Sequence, residues 1–268
     1  MGQLELRGKP IGIVKGILFD KDGTLSYSEP YLLALASARI TALRKRILLM
    51  CGSGATAREV SNLLASAYGV RLSQMQKATD LNPEAMLAVA SLEQNIISTA
   101  AVLCLQGYSW SEALRLTKEA FSEADILSQQ DPCFVNYLHL LVPGVRDMLT
   151  RICGAGITCA IISNDTDANI DAFLRCQDLG ALIIDFCGAD KHPNKPSPKA
   201  VYKLCQCLGL KPVECALISD SETDLLMARQ AGIGISIGFA SGWSQSPCLS
   251  AYNYLIGHWE ELTATPVQ

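Results

Sequence analysis

The chain has 268 residues, is 49% apolar and 18% charged, and carries a net charge of −4. That leaves room for one sizeable domain and a smaller one, with enough apolar surface for real cores, and it excludes a disordered polymer. The charge offers no broad basic face to nucleic acid or an acidic membrane, and no apolar run is long and continuous enough to span a bilayer.

Residues 1–14 mix charges and a proline with apolar residues and lack the apolar core of a secretory signal. The eleven cysteines, an odd number, sit mostly in apolar segments, such as Cys153, Cys159, Cys205 and Cys215, where a reduced thiol acts as a small core residue. This points to a reducing cytoplasm. Cys205 and Cys207 lack a second pair at zinc-site spacing and are assigned no function.

The run 11–19 reads as one buried strand ending at Asp20, with Gly23 opening the loop beyond it. From 31 to about 140 apolar residues recur at helical spacing, as in Val60, Leu63, Leu64 and Ala67, and an all-helical block is expected. After Pro143 helices and strands alternate: strands at 157–163, 181–186, 214–219, 233–237 and 252–256, helices near 145–153, 167–177, 198–208 and 221–231. Such alternation predicts an α/β fold, a doubly wound, mostly parallel, Rossmann-like sheet with helices on both faces. The helical block is then an insertion, so the expected domains are a core of 1–26 and 143–268 and a helical domain of 27–142. Because the first loop leaves the C-terminal end of a strand, where ligands of open α/β sheets bind, the insertion reads as a lid.

Four strand ends carry chemistry. Asp20-Lys21-Asp22-Gly23-Thr24 sets two carboxylates one residue apart, able to divide the roles of nucleophile and proton carrier, and Gly23 lets the loop fold around a bound ion. Ser163-Asn164-Asp165 ends the next strand with a hydroxyl and backbone donors suited to a phosphate, though an ordinary helix cap has the same pattern. The proline-rich 191–198 loop offers Lys195, with Lys191 as runner-up and His192 as part of the loop, to neutralise charge on nucleophile and phosphate. Asp220 and Asp224 follow a further strand; first-turn acids are common on helices, but Asp220 can also ligate a hard cation such as Mg²⁺ with Asp224 in support. All four follow strands, so a parallel sheet gathers them at one edge, and together they are the parts of an in-line phosphoryl transfer.

In order along the chain, FDKDGTL, IISND, NKPSP and ISDSETD resemble the haloacid dehalogenase superfamily, specifically its phosphoglycolate phosphatase-like phosphatases. The resemblance implies Asp20 as nucleophile, Asp22 as general acid/base whose backbone carbonyl also binds Mg²⁺, Ser163 as phosphate donor, Lys195 as stabiliser, Asp220 as acidic metal ligand and the helical insertion as a cap. Thr24 and Asn164 join Ser163 and Lys195 as expected substrate contacts. The last motif begins with Ser219 where the family usually has Gly. Arg44, Lys45, Arg46 and Arg58 are candidates to meet an anionic leaving group, against the plainer reading of a solvated helix face.

The expected substrate is therefore a small phosphorylated metabolite. A dehalogenase would lack the second acid at Asp22. A sugar-phosphate mutase would keep both aspartates and differ in where the phosphoryl group goes next, and a phosphate-binding regulatory protein would keep the fold without turnover.

Overall fold

The computed structural model describes residues 1–130, 134, 137 and 139–267. The chain opens with β1 (Gly2–Leu6) and β2 (Lys9–Val14), an antiparallel pair joined through Arg7 and Gly8, both at positive φ (50° and 74°), as a tight hairpin turn demands. The other edge of β1 pairs with β11 (Leu262–Pro266), so the two ends of the chain share one three-stranded sheet.

The strand expected at 11–19 is in fact two, in different sheets. β2 ends at Val14, Lys15 turns out to Glu214 (Nζ to Oε1 2.6 Å), and β3 (Gly16–Phe19) begins in the main sheet. Gly16 suits the break, because a Cβ there would lie 2.6 Å from Leu210. The main sheet adds β6 (Thr158–Ile162), β7 (Asp185–Cys187), β8 (Cys215–Ser219), β9 (Ile235–Phe239) and β10 (Tyr254–Ile256), all parallel, in the order β10-β9-β8-β3-β6-β7. The strand expected at 181–186 shrinks to β7 and shifts past it, because 179–183 close on themselves through Leu182 and Ile183 N–H bonds to the Leu179 carbonyl.

Helices α6 (Val145–Gly154), α7 (Asp167–Cys176), α8 (Pro198–Cys207) and α9 (Glu222–Ala231) cover the sheet. Alternation along β3 sends Ile17 and Phe19 into a core with Leu4, Met148, Ile152, Phe173 and Trp259, and Leu18 into the opposite core with Val201, Leu204 and Leu225. Phe239 stacks on Trp259 with ring centroids 4.5 Å apart.

The chain divides into two compact units, Met1–Tyr27 with His139–Gln268, and Ser28–Leu138. The expected junctions at 26/27 and 142/143 move because residues 140–142 are stitched to the first loop: Tyr27 N–H donates to the Leu140 carbonyl (2.8 Å) and Val142 N–H to that of Leu25 (3.0 Å). The second unit contains α1 (Glu29–Cys51), α2 (Gly54–Tyr68), α3 (Met86–Val89), α4 (Leu92–Leu105) and α5 (Trp110–Gln130). It is not purely helical: β4 (Arg71–Leu72) and β5 (Ala78–Thr79) form a short antiparallel pair. Ser91 and Gln94 cap α4 reciprocally, and inside the unit the Arg39 guanidinium lies 3.9 Å from the Phe121 ring centre. Among the described residues no helix is long and apolar enough to cross a membrane.

Candidate active site

β3 lies between β6 and β8, so successive crossovers leave it in opposite directions, and the loops after these strands open at one sheet edge. Asp20 follows β3, Ser163 follows β6, the 188–195 segment follows β7, Asp220 follows β8, and the loop holding Trp243 follows β9.

The centre is a buried ammonium between two carboxylates. Lys195 Nζ lies 2.5 Å from Oδ1 of Asp20 and 2.5 Å from Oδ2 of Asp224. Burial works against its charge, but the two carboxylates prevail and hold its pKa above the usual lysine range. Asp224 is thus more than a first-turn acid of α9, and Ser219 holds it in place: its Oγ donates to Asp224 Oδ2 (2.8 Å) and accepts the Ser221 N–H (3.1 Å). The Ser at the start of the last motif therefore does positional work that Gly could not. Asp20 itself is pushed well above the ordinary carboxyl range, first by burial and then by Asp224 and Asp220, against the pull of Lys195.

Asp220 is clamped from two sides. Thr24 Oγ1 donates to its Oδ1 (2.8 Å) and accepts its N–H (3.1 Å), while the Trp243 indole N–H donates to Oδ2 (2.5 Å). Thr24 is accordingly tied to Asp220. Gly23 is required here: its φ is +77°, and a Cβ would lie 2.1 Å from the Trp243 indole nitrogen and 2.5 Å from Asp220 Oδ2. Gly242 is required too, since its own Cβ would meet the Gly23 carbonyl at 1.6 Å.

Asp22 belongs to a second charge cluster. Its Oδ1 lies 2.6 Å from the Lys21 ammonium, which also lies 3.0 Å from Oδ2 of Asp165. Ser163 is buried, and its Oγ accepts the Asp165 N–H (3.1 Å). It is not the cap of α7; that role falls to Thr166, whose Oγ1 accepts the Asn169 N–H (3.2 Å). Asn164 sits between them, partly buried, on the same loop.

Other candidates are engaged elsewhere. Lys191 pairs with Asp167 (3.1 Å) and lies over the Phe186 ring, and His192 is exposed. Arg46 pairs with Glu123 (2.6 Å), Lys45 and Arg58 are exposed, and Arg44 is partly buried. Sequence reasoning passed over Lys21, Asp165 and Trp243 as functional residues. The first two were legible as charges beside motif acids; nothing local marked Trp243. The ten described cysteines are all free thiols.

Among the described residues no three His, Cys, Asp or Glu side chains are grouped as a metal cage. A hard cation needs fewer protein ligands, since magnesium keeps several waters, and the donor set here suits one: Asp20, Asp220 and Asp224 set three buried carboxylates against the single ammonium of Lys195. The charge imbalance is the fit.

Known proteins are similar to this chain over most of its length. A phosphoglycolate phosphatase of Vibrio vulnificus (strain YJ016) is 25% identical over 241 residues, 89% of each chain, and one of Vibrio parahaemolyticus is 26% identical over 242 residues, 90% of each. The crystal structure of a predicted phosphoglycolate phosphatase from Haemophilus somnus 129PT superimposes with a TM-score of 0.64 at 18% identity, covering 92% of this chain and 95% of that one, and shares the fold. The match to the haloacid dehalogenase-like hydrolase family runs over residues 14–232 and takes in all four motifs, so this chain belongs to that family.

Proposed function

We propose that this hydrolase is a magnesium-dependent phosphatase, phosphoglycolate phosphatase-like, that cleaves a small phosphate monoester through an aspartyl-phosphate on Asp20. The observation that carries the reading is the pairing of Lys195 with Oδ1 of Asp20 at the end of the central strand. A lysine so placed orients the carboxylate and leaves Oδ2 to attack phosphorus.

As the new bond from Asp20 to phosphorus forms, the bond from phosphorus to the substrate oxygen breaks, and Asp22 gives that oxygen a proton. Asp22 then takes a proton from water as the water attacks the aspartyl-phosphate, releasing phosphate and freeing Asp20. Ser163 and the Asn164 residue after it hold the phosphoryl oxygens and Lys195 offsets the charge that develops on them, whereas Thr24, expected as a further contact, has its hydroxyl hydrogen on Asp220 and orients that acid instead. Asp20, the Asp22 carbonyl and Asp220 would hold Mg²⁺, which when bound neutralises phosphoryl charge. Asp224 acts through Lys195. The helical unit is proposed as the cap that selects the leaving group, and free thiols suit a cytoplasmic setting.

The test is a hydrolysis screen over phosphorylated acids, sugars and nucleotides, with Mg²⁺ and with a chelator, plus acid-quench trapping of a phosphoenzyme. Phosphate release that needs Mg²⁺, with label on Asp20, is expected. Isomerised product without phosphate release, or no turnover by a well-folded sample, would overturn the reading.

A further inference from the structure

Lys21 stands between the two motif aspartates, yet its side chain is only 6% exposed. A buried ammonium there costs several kcal/mol in desolvation, which an apolar residue packed on neighbouring Phe173 would avoid. Burial is opposed by two carboxylates, Asp22 at 2.6 Å and Asp165 at 3.0 Å.

Asp165 is anchored: its Oδ1 accepts the Thr166 N–H (2.8 Å) and Asn169 Nδ2 (2.7 Å), its own N–H goes to Ser163 Oγ, and its carbonyl accepts the Ala189 N–H (2.8 Å). Asp22 and Asp165 are exposed to a similar degree, 26% and 22%, and Lys21 bridges the two carboxylates. The Lys21 carbonyl also accepts the N–H groups of Thr24, Leu25 and Ser26, so the loop is wound about this one residue. Asp165 is thus a fixed post and Lys21 a tether from it to Asp22.

We propose that Lys21 is a positioning residue, holding the Asp22 carboxylate in register with the Ser163 loop through the shared ion pair with Asp165. This rests on the reading of Asp22 as acid/base. The tether makes the proton carrier and the phosphate donors one unit, so that Asp22 does not have to be located afresh in each half-reaction.

The test is a double-mutant cycle on an aryl phosphate. Lys21→Met keeps the stem and removes the charge. In the native background kcat should fall on the order of 10- to 100-fold, a part of what acid–base catalysis supplies, with KM little changed. In the Asp22→Asn background the same substitution should cost nothing further, and Lys21→Arg should restore part of the native loss. Equal losses in both backgrounds would reduce Lys21 to a structural residue and overturn the proposal. Should Lys21→Met fail to fold, Asp165→Asn decides in its place: a several-fold loss with Asp22 present and none without it. Near-native turnover by Asp22→Asn alone would instead overturn the acid/base reading, whatever Lys21 does.

Discussion

The indole N–H of Trp243 donates to Oδ2 of Asp220 at 2.5 Å, joining a loop after β9 to the carboxylate after β8. Phe at this position keeps the ring against Gly23 and removes the donor. Trp243→Phe should therefore fold, and the Mg²⁺ concentration for half-maximal turnover should rise roughly 10- to 100-fold, the usual penalty for losing a partner that orients a metal ligand. Titrating activity with Mg²⁺ checks this. An unchanged Mg²⁺ dependence would mean that Thr24 alone suffices to orient Asp220.

Asp20→Asn should abolish turnover while raising, or at least keeping, the melting temperature of the metal-free protein. The native carboxyl is shifted upward by burial and by Asp224 and Asp220. A raised carboxyl pKa means the folded state binds the proton more tightly than the unfolded chain, so stability falls as pH climbs from about 4 toward the folded value. Burial and the two neighbouring acids oppose the ionised form, and a neutral amide escapes that opposition. Thermal unfolding of both proteins in a chelator gives the comparison, and a clear drop in the variant would show that the pair with Lys195 outweighs the repulsion.

The two buried lysines act in the same direction but at the alkaline end of the pH axis. Lys21 and Lys195 are both held above the usual range by their carboxylates, despite burial. Their contribution is full below about pH 10.4, the unfolded lysine value, and is lost as pH rises toward the folded values. Denaturant unfolding between pH 8 and 11 should show native stability declining through the upper end of that interval. Lys195→Met should decline less steeply from a lower start, since it leaves Asp20 and Asp224 without their shared cation, at a cost of about 3–5 kcal/mol.

Gly23→Ala should be costly for two separate reasons, the positive φ and the collision with Trp243 and Asp220. The backbone part alone is worth about 1 kcal/mol or more, and the collision displaces Asp220, the proposed metal ligand, as well. Loss of stability by urea titration together with loss of turnover is expected. Gly52, also at positive φ (66°) but with open space around it, is the control: Gly52→Ala should cost stability alone.

By itself the sequence determined where the main strands of the sheet end and which polar residues stand there. An apolar run that stops at Asp20, Ser163 or Asp220 is a local pattern, legible without any neighbour in space. The tertiary structure alone decided what depends on residues far apart in the chain: β1 closing on β11, Asp224 joining Asp20 on the one ammonium of Lys195, Lys21 turning inward, and Trp243 meeting Asp220. The reason is that a charge or an indole carries no local signal of its partner. A lysine between two acids reads as solvated until the loop after β6 and helix α7 bring Asp165 and Phe173 around it, and only the packed sheet edge converts those charges into a site.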